Sequence, residues 1–147
     1  MSATNTPKKQ ISALKGWFTM PPEEPRLIGS KCKSCGHRSF PAAMFCRNPN
    51  CTKTEGLEEI KLSRRGKLWT YTIMYYPPPF PYRAPDPYIP FGIAVVVLED
   101  GLRIQGQVAS GTDLQTLKVG MDMEVVLEKL YDDNEGNEVL AWKFRPV

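Results

Sequence analysis

The sequence Cys32-Lys33-Ser34-Cys35-Gly36 is separated by nine residues from Cys46-Arg47-Asn48-Pro49-Asn50-Cys51, and these stretches hold all four cysteines of the 147-residue chain. Cys-x2-Cys and Cys-x4-Cys spacings form two knuckles, each of which presents two sulfur atoms to one tetrahedral Zn²⁺ at about 2.3 Å. Gly36 supplies the backbone freedom that the first knuckle needs. Two disulfides are the alternative, but a chain without a secretory signal is expected in the reducing cytoplasm. We therefore predict one structural zinc.

The only histidine of the chain limits the chemistry that the protein can perform. His37 lies beside the first knuckle and is either a solvated loop residue or the fourth ligand in place of Cys51. A structural zinc site has no open coordination position. With the cysteines committed to the metal, neither a Cys/His pair nor a serine triad can be assembled. We predict no catalytic site in this chain.

Composition and charge exclude several classes of protein. Hydrophobic residues make up 41% and charged residues 24% of the chain, which are ordinary globular values. The longest purely apolar run has six residues, Ile93 to Leu98, whereas a transmembrane helix needs about 20. The formal net charge of +3 falls by two when four thiolates hold one Zn²⁺. This small balance disfavours a nucleic-acid binder. The short apolar run, and the lack of an apolar stretch in residues 1–10, predict a cytoplasmic protein without a membrane contact.

Residues 1–26 are predicted to form an N-terminal helical arm. Ile11, Leu14, Trp17 and Phe18 recur at helical spacing before Pro21 ends the pattern. Two interpretations stay open for the aromatic side chains: Trp17 and Phe18 dock on a partner, or they pack against their own domain.

Residues 27–61 are predicted to form a rubredoxin-like zinc ribbon, and residues 62–147 a five-stranded barrel of the OB type. The ribbon has few large apolar residues beyond Phe40, Met44 and Phe45, so it needs the metal to fold. Residues 102–108 alternate apolar and polar, as a strand with one buried face does. The apolar run 91–98 favours a strand covered on both faces, and Asp100-Gly101 joins the two as a hairpin. Segments 67–76, 121–130 and 139–144 complete a mostly β fold of antiparallel strands.

Residues 77–90 form a proline-rich loop with seven of the 14 prolines of the chain. It carries Phe80, Tyr82, Arg83 and Tyr88 on a stiff, extended backbone. Aromatic residues and arginine are typical of interface anchors, which predicts contact with a partner protein or a ligand. The alternative is a connection that packs back on its own barrel.

Several motifs in this order carry a resemblance to a known family. They are the first knuckle with Phe40-Pro41, Gly66-Lys67-Leu68-Trp69-Thr70-Tyr71-Thr72, Pro87-Tyr88-Ile89-Pro90, Val119-Gly120-Met121 and the closing Phe144-Arg145-Pro146. The chain resembles the acyl-CoA-associated family that joins a rubredoxin-like zinc ribbon to an OB fold. The resemblance implies a non-catalytic accessory subunit whose partner is a thiolase-like catalytic subunit, with acyl-CoA at or near the shared interface.

Three basic residues before and within the first barrel strand are candidates for contact with CoA phosphates: Arg64, Arg65 and Lys67. The alternative is a solvated turn before a strand. Trp69, Tyr71, Tyr75 and Tyr76 offer a rival function, since aromatic stacking on an OB barrel is typical of single-stranded nucleic-acid binders. The balanced charge argues against this class. A scaffold that bridges two acyl-CoA enzymes is the third interpretation.

Overall fold

The computed structural model describes residues 9–52, 54–82 and 84–147. Within these ranges the strands are β1 Gln10–Ser12, β2 Ile28–Cys32, β3 Arg38–Ser39, β4 Leu57–Lys61, β5 Arg65–Met74, β6 Phe91–Leu98, β7 Arg103–Val108, β8 Asp122–Asp132 and β9 Glu138–Pro146, with one 3-10 helix, Leu114–Thr116. The described ranges contain no helix that is long and apolar enough to cross a membrane.

Five strands close into a barrel, which confirms the predicted mostly β fold of OB type. The large sheet has the order β1-β9-β7-β6-β5-β8, and β9 also pairs with β8, so that β5 to β9 form a ring. The pairing of β7 with β9 is parallel, with Gln107 opposite Lys143, where the sequence analysis expected antiparallel strands throughout. A ring of five strands cannot alternate direction at every neighbour, so one parallel pair is unavoidable.

The barrel core is built from the inward positions of these strands. Its most buried members are Phe144, Leu68, Leu98, Met123, Val96 and Val125, together with Leu27 and Leu62 from outside the barrel strands. Gly106 makes room for the largest of them, because a Cβ atom at this position would lie 2.8 Å from the Phe144 ring. Burial of these side chains is the main force that holds the barrel together.

Strand β6 differs from the prediction that both of its faces are covered. Its burial alternates, with Gly92, Ala94, Val96 and Leu98 buried and Phe91, Ile93, Val95 and Val97 only half-buried. The inward residues face the barrel interior. The outward residues are just as apolar, and they form a second apolar surface on the outside of the barrel. A continuous apolar run therefore does not require two layers of its own chain.

The prediction of an N-terminal helix is wrong for the described part of the arm. Residues Gln10–Ser12 form β1, which runs parallel to β9 with Ile11 opposite Val139, and turns and bends follow. An isolated helix of this length has marginal stability in water. The edge of β9, by contrast, presents unpaired backbone N–H and C=O groups with which an extended segment can pair. The open sheet edge therefore decides the conformation of the arm.

An aromatic cluster joins the arm, the ribbon and the barrel. The Trp17 ring lies 5.6 Å from Phe40 and 6.1 Å from Trp142, and Phe18 lies 6.0 Å from Trp142. Phe40 also meets Trp142 edge-on at 5.6 Å. The ribbon itself is a sheet of order β3-β2-β4. Its attachment to the barrel therefore rests on aromatic packing as well as on the chain connection.

Candidate metal centre and partner surface

The four cysteine sulfur atoms converge on one point. All Sγ atoms of Cys32, Cys35, Cys46 and Cys51 lie within 4.8 Å of one another, with 3.5 Å between Cys32 and Cys51 and 3.6 Å between Cys35 and Cys46. Four sulfurs at about 2.3 Å from a tetrahedral Zn²⁺ stand about 3.8 Å apart. The donor set and its spacing therefore fit one zinc ion, which would hold the two knuckles together.

The local backbone explains how the first knuckle presents its sulfurs. Strand β2 ends at Cys32, whose carbonyl accepts a hydrogen bond of 2.8 Å from the N–H of Gly36. Gly36 has φ of +79°, a conformation that other residues rarely adopt. The Cys32 N–H donates to the carbonyl of His37 at 2.9 Å, which closes the turn. The His37 side chain is exposed and is not part of the cysteine group, so Cys51 completes the site.

Hydrogen bonds prepare the first knuckle for metal binding. The backbone N–H of Cys35, aided by that of Ser34, lowers the pKa of Cys32 to about 6. A hydrogen bond from the backbone at His37 lowers the pKa of Cys35. Burial acts in the opposite direction on Cys46 and raises its pKa. Because zinc binds thiolates, the first knuckle is better prepared than Cys46 to bind the ion.

The described residues of the proline-rich loop, residues 77–90, include two tyrosines that fix it to the barrel. The Tyr82 ring stacks on Phe91 of β6 at 5.3 Å, and the Tyr88 hydroxyl donates a hydrogen bond of 2.7 Å to the carbonyl of Met74. Phe80 is 93% exposed. Tyr82 and Tyr88 thus anchor the loop and Phe80 stands in solvent; Arg83 lies outside the described residues.

A cavity of about 940 Å³ lies between this loop and one end of the barrel. Its lining includes Tyr82, Pro85, Ile89, Phe91, Leu114 and Tyr131. At the polar side the nearly buried Lys143 pairs with Glu128 at 3.4 Å, and Glu128 accepts a hydrogen bond from the Ser110 N–H at 2.9 Å. The lining residues are distant in sequence, so no local pattern could reveal this space.

The three basic residues considered for CoA phosphates are paired within the chain. Arg64 lies 3.7 Å from Glu24, Arg65 lies 3.9 Å from Glu124, and Lys67 lies 2.5 Å from Asp122. They sit at the start of β5, whereas the cavity lies beside its other end, because Met74 pairs with the cavity residue Phe91. These pairings, and the distance from the cavity, favour the alternative of a solvated turn before a strand.

The aromatic residues of the arm pack against their own domain, which is the second of the two interpretations left open by the sequence. Phe18 is only 3% exposed and belongs to the hydrophobic core, and Trp17 is partly buried against it. Tyr71 also turns inward and donates to the carbonyl of Leu117 at 3.1 Å. Trp69, by contrast, is 49% exposed. Docking of Phe18 on a partner would require this core to open.

Two family models together match most of the chain. Residues 21–58 match the ChsH2 rubredoxin-like zinc ribbon domain, and residues 59–128 match the ChsH2 C-terminal OB-fold domain. The match to the zinc ribbon and the grouping of the cysteines confirm the prediction of one zinc ion.

Similar proteins carry two kinds of name. A DUF35 domain-containing scaffold protein of Methanocaldococcus jannaschii is 35% identical over 82% of this chain and 82% of its own. A protein of the same name from Pyrococcus furiosus is 36% identical over 85% and 86%. Benzoylsuccinyl-CoA thiolase subunit BbsA of Geobacter metallireducens is 30% identical over 84% of this chain and 76% of its own.

A solved structure shows the same fold in a complex. The matching chain of the Ltp2-ChsH2(DUF35) aldolase is 26% identical, with a TM-score of 0.60, over 82% of this chain and 84% of that chain. The resemblance inferred from the sequence motifs is thereby confirmed.

Proposed function

This chain belongs to the family that joins a ChsH2-type zinc ribbon to a ChsH2-type OB fold, and from this premise we propose that it shapes the acyl-CoA site of a thiolase-type catalytic subunit. It is an accessory subunit of an acyl-CoA enzyme complex. Relatives with this architecture are named as a thiolase subunit and as part of an aldolase complex. The finer proposal is that the proline-rich loop and the cavity beneath it complete the partner's site.

The observation that carries this proposal is the anchored loop over an open cavity. The volume of this cavity, about 940 Å³, lies within the range of small-molecule and cofactor sites. The lining is mostly apolar, and the charge of Lys143 is already paired with Glu128. Such a space suits the acyl or pantetheine portion of a CoA thioester better than its phosphates.

The loop offers the catalytic subunit an exposed aromatic anchor. Phe80 projects into solvent from a loop that Tyr82 and Tyr88 hold in place, so little conformational entropy is lost when the aromatic ring is buried. Burial of such an anchor against the catalytic subunit would exclude water from the thioester. The bond-breaking groups belong to the partner.

The substrate is the most specific part of the proposal. The names of the two BbsA relatives, 30% and 27% identical, point to benzoylsuccinyl-CoA thiolase, an enzyme of anaerobic toluene breakdown. We propose an aromatic 3-oxoacyl-CoA as the substrate class and the cytoplasm as the location, because thiolate ligands persist in a reducing compartment.

Reconstitution with the thiolase-type catalytic subunit of the same source tests this function. We expect no cleavage of a 3-oxoacyl-CoA by this chain alone and cleavage by the complex. Ala84→Trp, at the cavity lining, should raise KM for the substrate while the complex still forms, and Lys118→Ala, on an exposed turn away from the lining, is the control. Unchanged kinetics with Ala84→Trp would contradict the cavity assignment.

A scaffold that bridges two enzymes is a second candidate, favoured by the names of the archaeal relatives. It predicts that two different acyl-CoA enzymes bind one chain at the same time. Sedimentation of the purified components distinguishes the two functions: a ternary complex supports the scaffold, and a binary complex with full activity supports the thiolase companion alone.

A further inference from the structure

The outer face of the barrel carries an apolar row that no part of the described chain covers fully. Phe91, Ile93, Val95 and Val97 point outward from β6, on the side opposite to the buried Ala94 and Val96. None of these four is among the side chains packed against the hydrophobic core. Their half-buried state comes from neighbouring outward side chains of β5 and β7.

The two ends of this row differ in what lies over them. At one end Tyr82 of the proline-rich loop stacks on Phe91. At the other end the Arg103 guanidinium of β7 lies 4.3 Å from the centre of the Trp69 ring of β5, across the intervening strand. Ile93 and Val95 lie between these ends. The face is thus a short apolar strip with an aromatic residue at each end.

The charged side chains at the Arg103 end of the face differ in their pairing. Arg65 and Lys67 of β5 pair with Glu124 and Asp122 of β8, and Glu99, which follows β6, accepts a hydrogen bond from the Ser63 hydroxyl. Among the described residues, no carboxylate forms an ion pair with Arg103. Stacking on Trp69 holds this guanidinium in place while its N–H groups stay available to an acceptor.

We propose that this face docks a partner protein which presents an apolar strip to Val95 and a carboxylate to Arg103. A held guanidinium forms charge-assisted, bidentate hydrogen bonds to a carboxylate, and burial of the apolar row around it excludes water. The partner is the catalytic subunit, and this choice rests on the proposed function.

Binding of the purified catalytic subunit to surface variants tests the proposal. Arg103→Glu reverses the charge at the edge of the strip, and Val95→Lys places a charge in its middle; both residues are outward, so the core is left intact. We expect affinity to fall about thirtyfold or more for each variant. Lys118→Glu reverses the charge of an exposed cation on a turn outside the face and the zinc knuckles; it is the matched control and should bind like the wild type.

The outcomes separate the two proposals. If the wild type binds the catalytic subunit and both face variants bind equally well, the docking face is refuted and the accessory function stands. If the wild type does not bind the catalytic subunit, both the accessory function and the docking face are refuted. Self-association that Arg103→Glu abolishes, or binding of a single-stranded oligonucleotide that depends on Arg103, would also overturn the proposal. Zinc content and thermal unfolding verify that each variant is folded.

Discussion

Replacement of Phe18 by alanine is expected to destabilise the fold strongly, although this residue lies outside the strands β1 to β9 and forms only an isolated antiparallel bridge with Leu27. Its side chain is 3% exposed and meets Trp142 edge-on at 6.0 Å. A buried phenylalanine removes about 150–250 Å² from water, and at about 25 cal/mol per Å² this burial is worth roughly 4–6 kcal/mol before losses to the unfolded state. Measured Phe→Ala changes in cores cost about 3–5 kcal/mol. We expect about 4 kcal/mol here.

Urea unfolding of the zinc-loaded protein measures this change. With a slope of about 2 kcal/mol per molar, a loss of 4 kcal/mol lowers the midpoint by about 2 M. Phe80→Ala is the matched control, because the same side chain is removed from a position that is 93% exposed. The control should unfold within about 0.5 kcal/mol of the wild type.

One result would refute this reasoning. If Phe18→Ala unfolds at the wild-type midpoint while its affinity for the catalytic subunit falls, then Phe18 does not stabilise the isolated chain and the arm is a docking element after all. Equal destabilisation by Phe80→Ala would show that exposure does not decide the cost, because Phe80 would then stabilise the fold as much as the buried Phe18 does. The slope must stay constant for the comparison to hold.

Three further changes test the metal site, the barrel and a turn. Cys46→Ser should lower zinc content from about one per chain and destabilise the ribbon, as measured by metal analysis and thermal unfolding. Gly106→Ala should cost about 1–3 kcal/mol through contact with Phe144, whereas full stability would show that the ring can shift. Hydrogen bonds from the backbone and side chain of Asn137 lower the pKa of Asp133, so the stability that this turn adds is present at neutral pH and lost as pH falls through the folded-state pKa. Asp133→Asn should flatten that part of the pH profile of unfolding, and an unchanged profile would contradict it.

The metal site and the barrel strands could be predicted from the sequence because their signals are local. Two cysteine pairs define knuckles by spacing alone, and the alternation from Arg103 to Val108 defines a strand with one buried face. The structure places β7 at Arg103–Val108 and β6 at Phe91–Leu98, and they meet at the predicted hairpin. In these segments local preference and final environment agree.

The arm and the outer face could not be predicted because distant partners decide them. Ile11 and Trp17 have helical spacing, yet the free edge of β9 captures the first as a strand and Trp142 packs against the second. The run in β6 reads as buried on both sides, since its outward residues are as apolar as its inward ones. Only the closed barrel shows which of them face outward and stay half-buried.

Phe91 belongs to three features at once: the apolar row, the proline-rich loop contact and the cavity lining. Its ring ends the apolar row of β6, stacks on Tyr82 of the proline-rich loop and lines the cavity beneath that loop. A protein docked as proposed on Val95 and Arg103 would lie on the strand that begins at the cavity residue Phe91. The zinc site contributes through the fold, because Phe40 of the ribbon packs on Trp142 of β9 and not on the cavity. The inward side of β6 builds the core, and its outward side carries the proposed docking face.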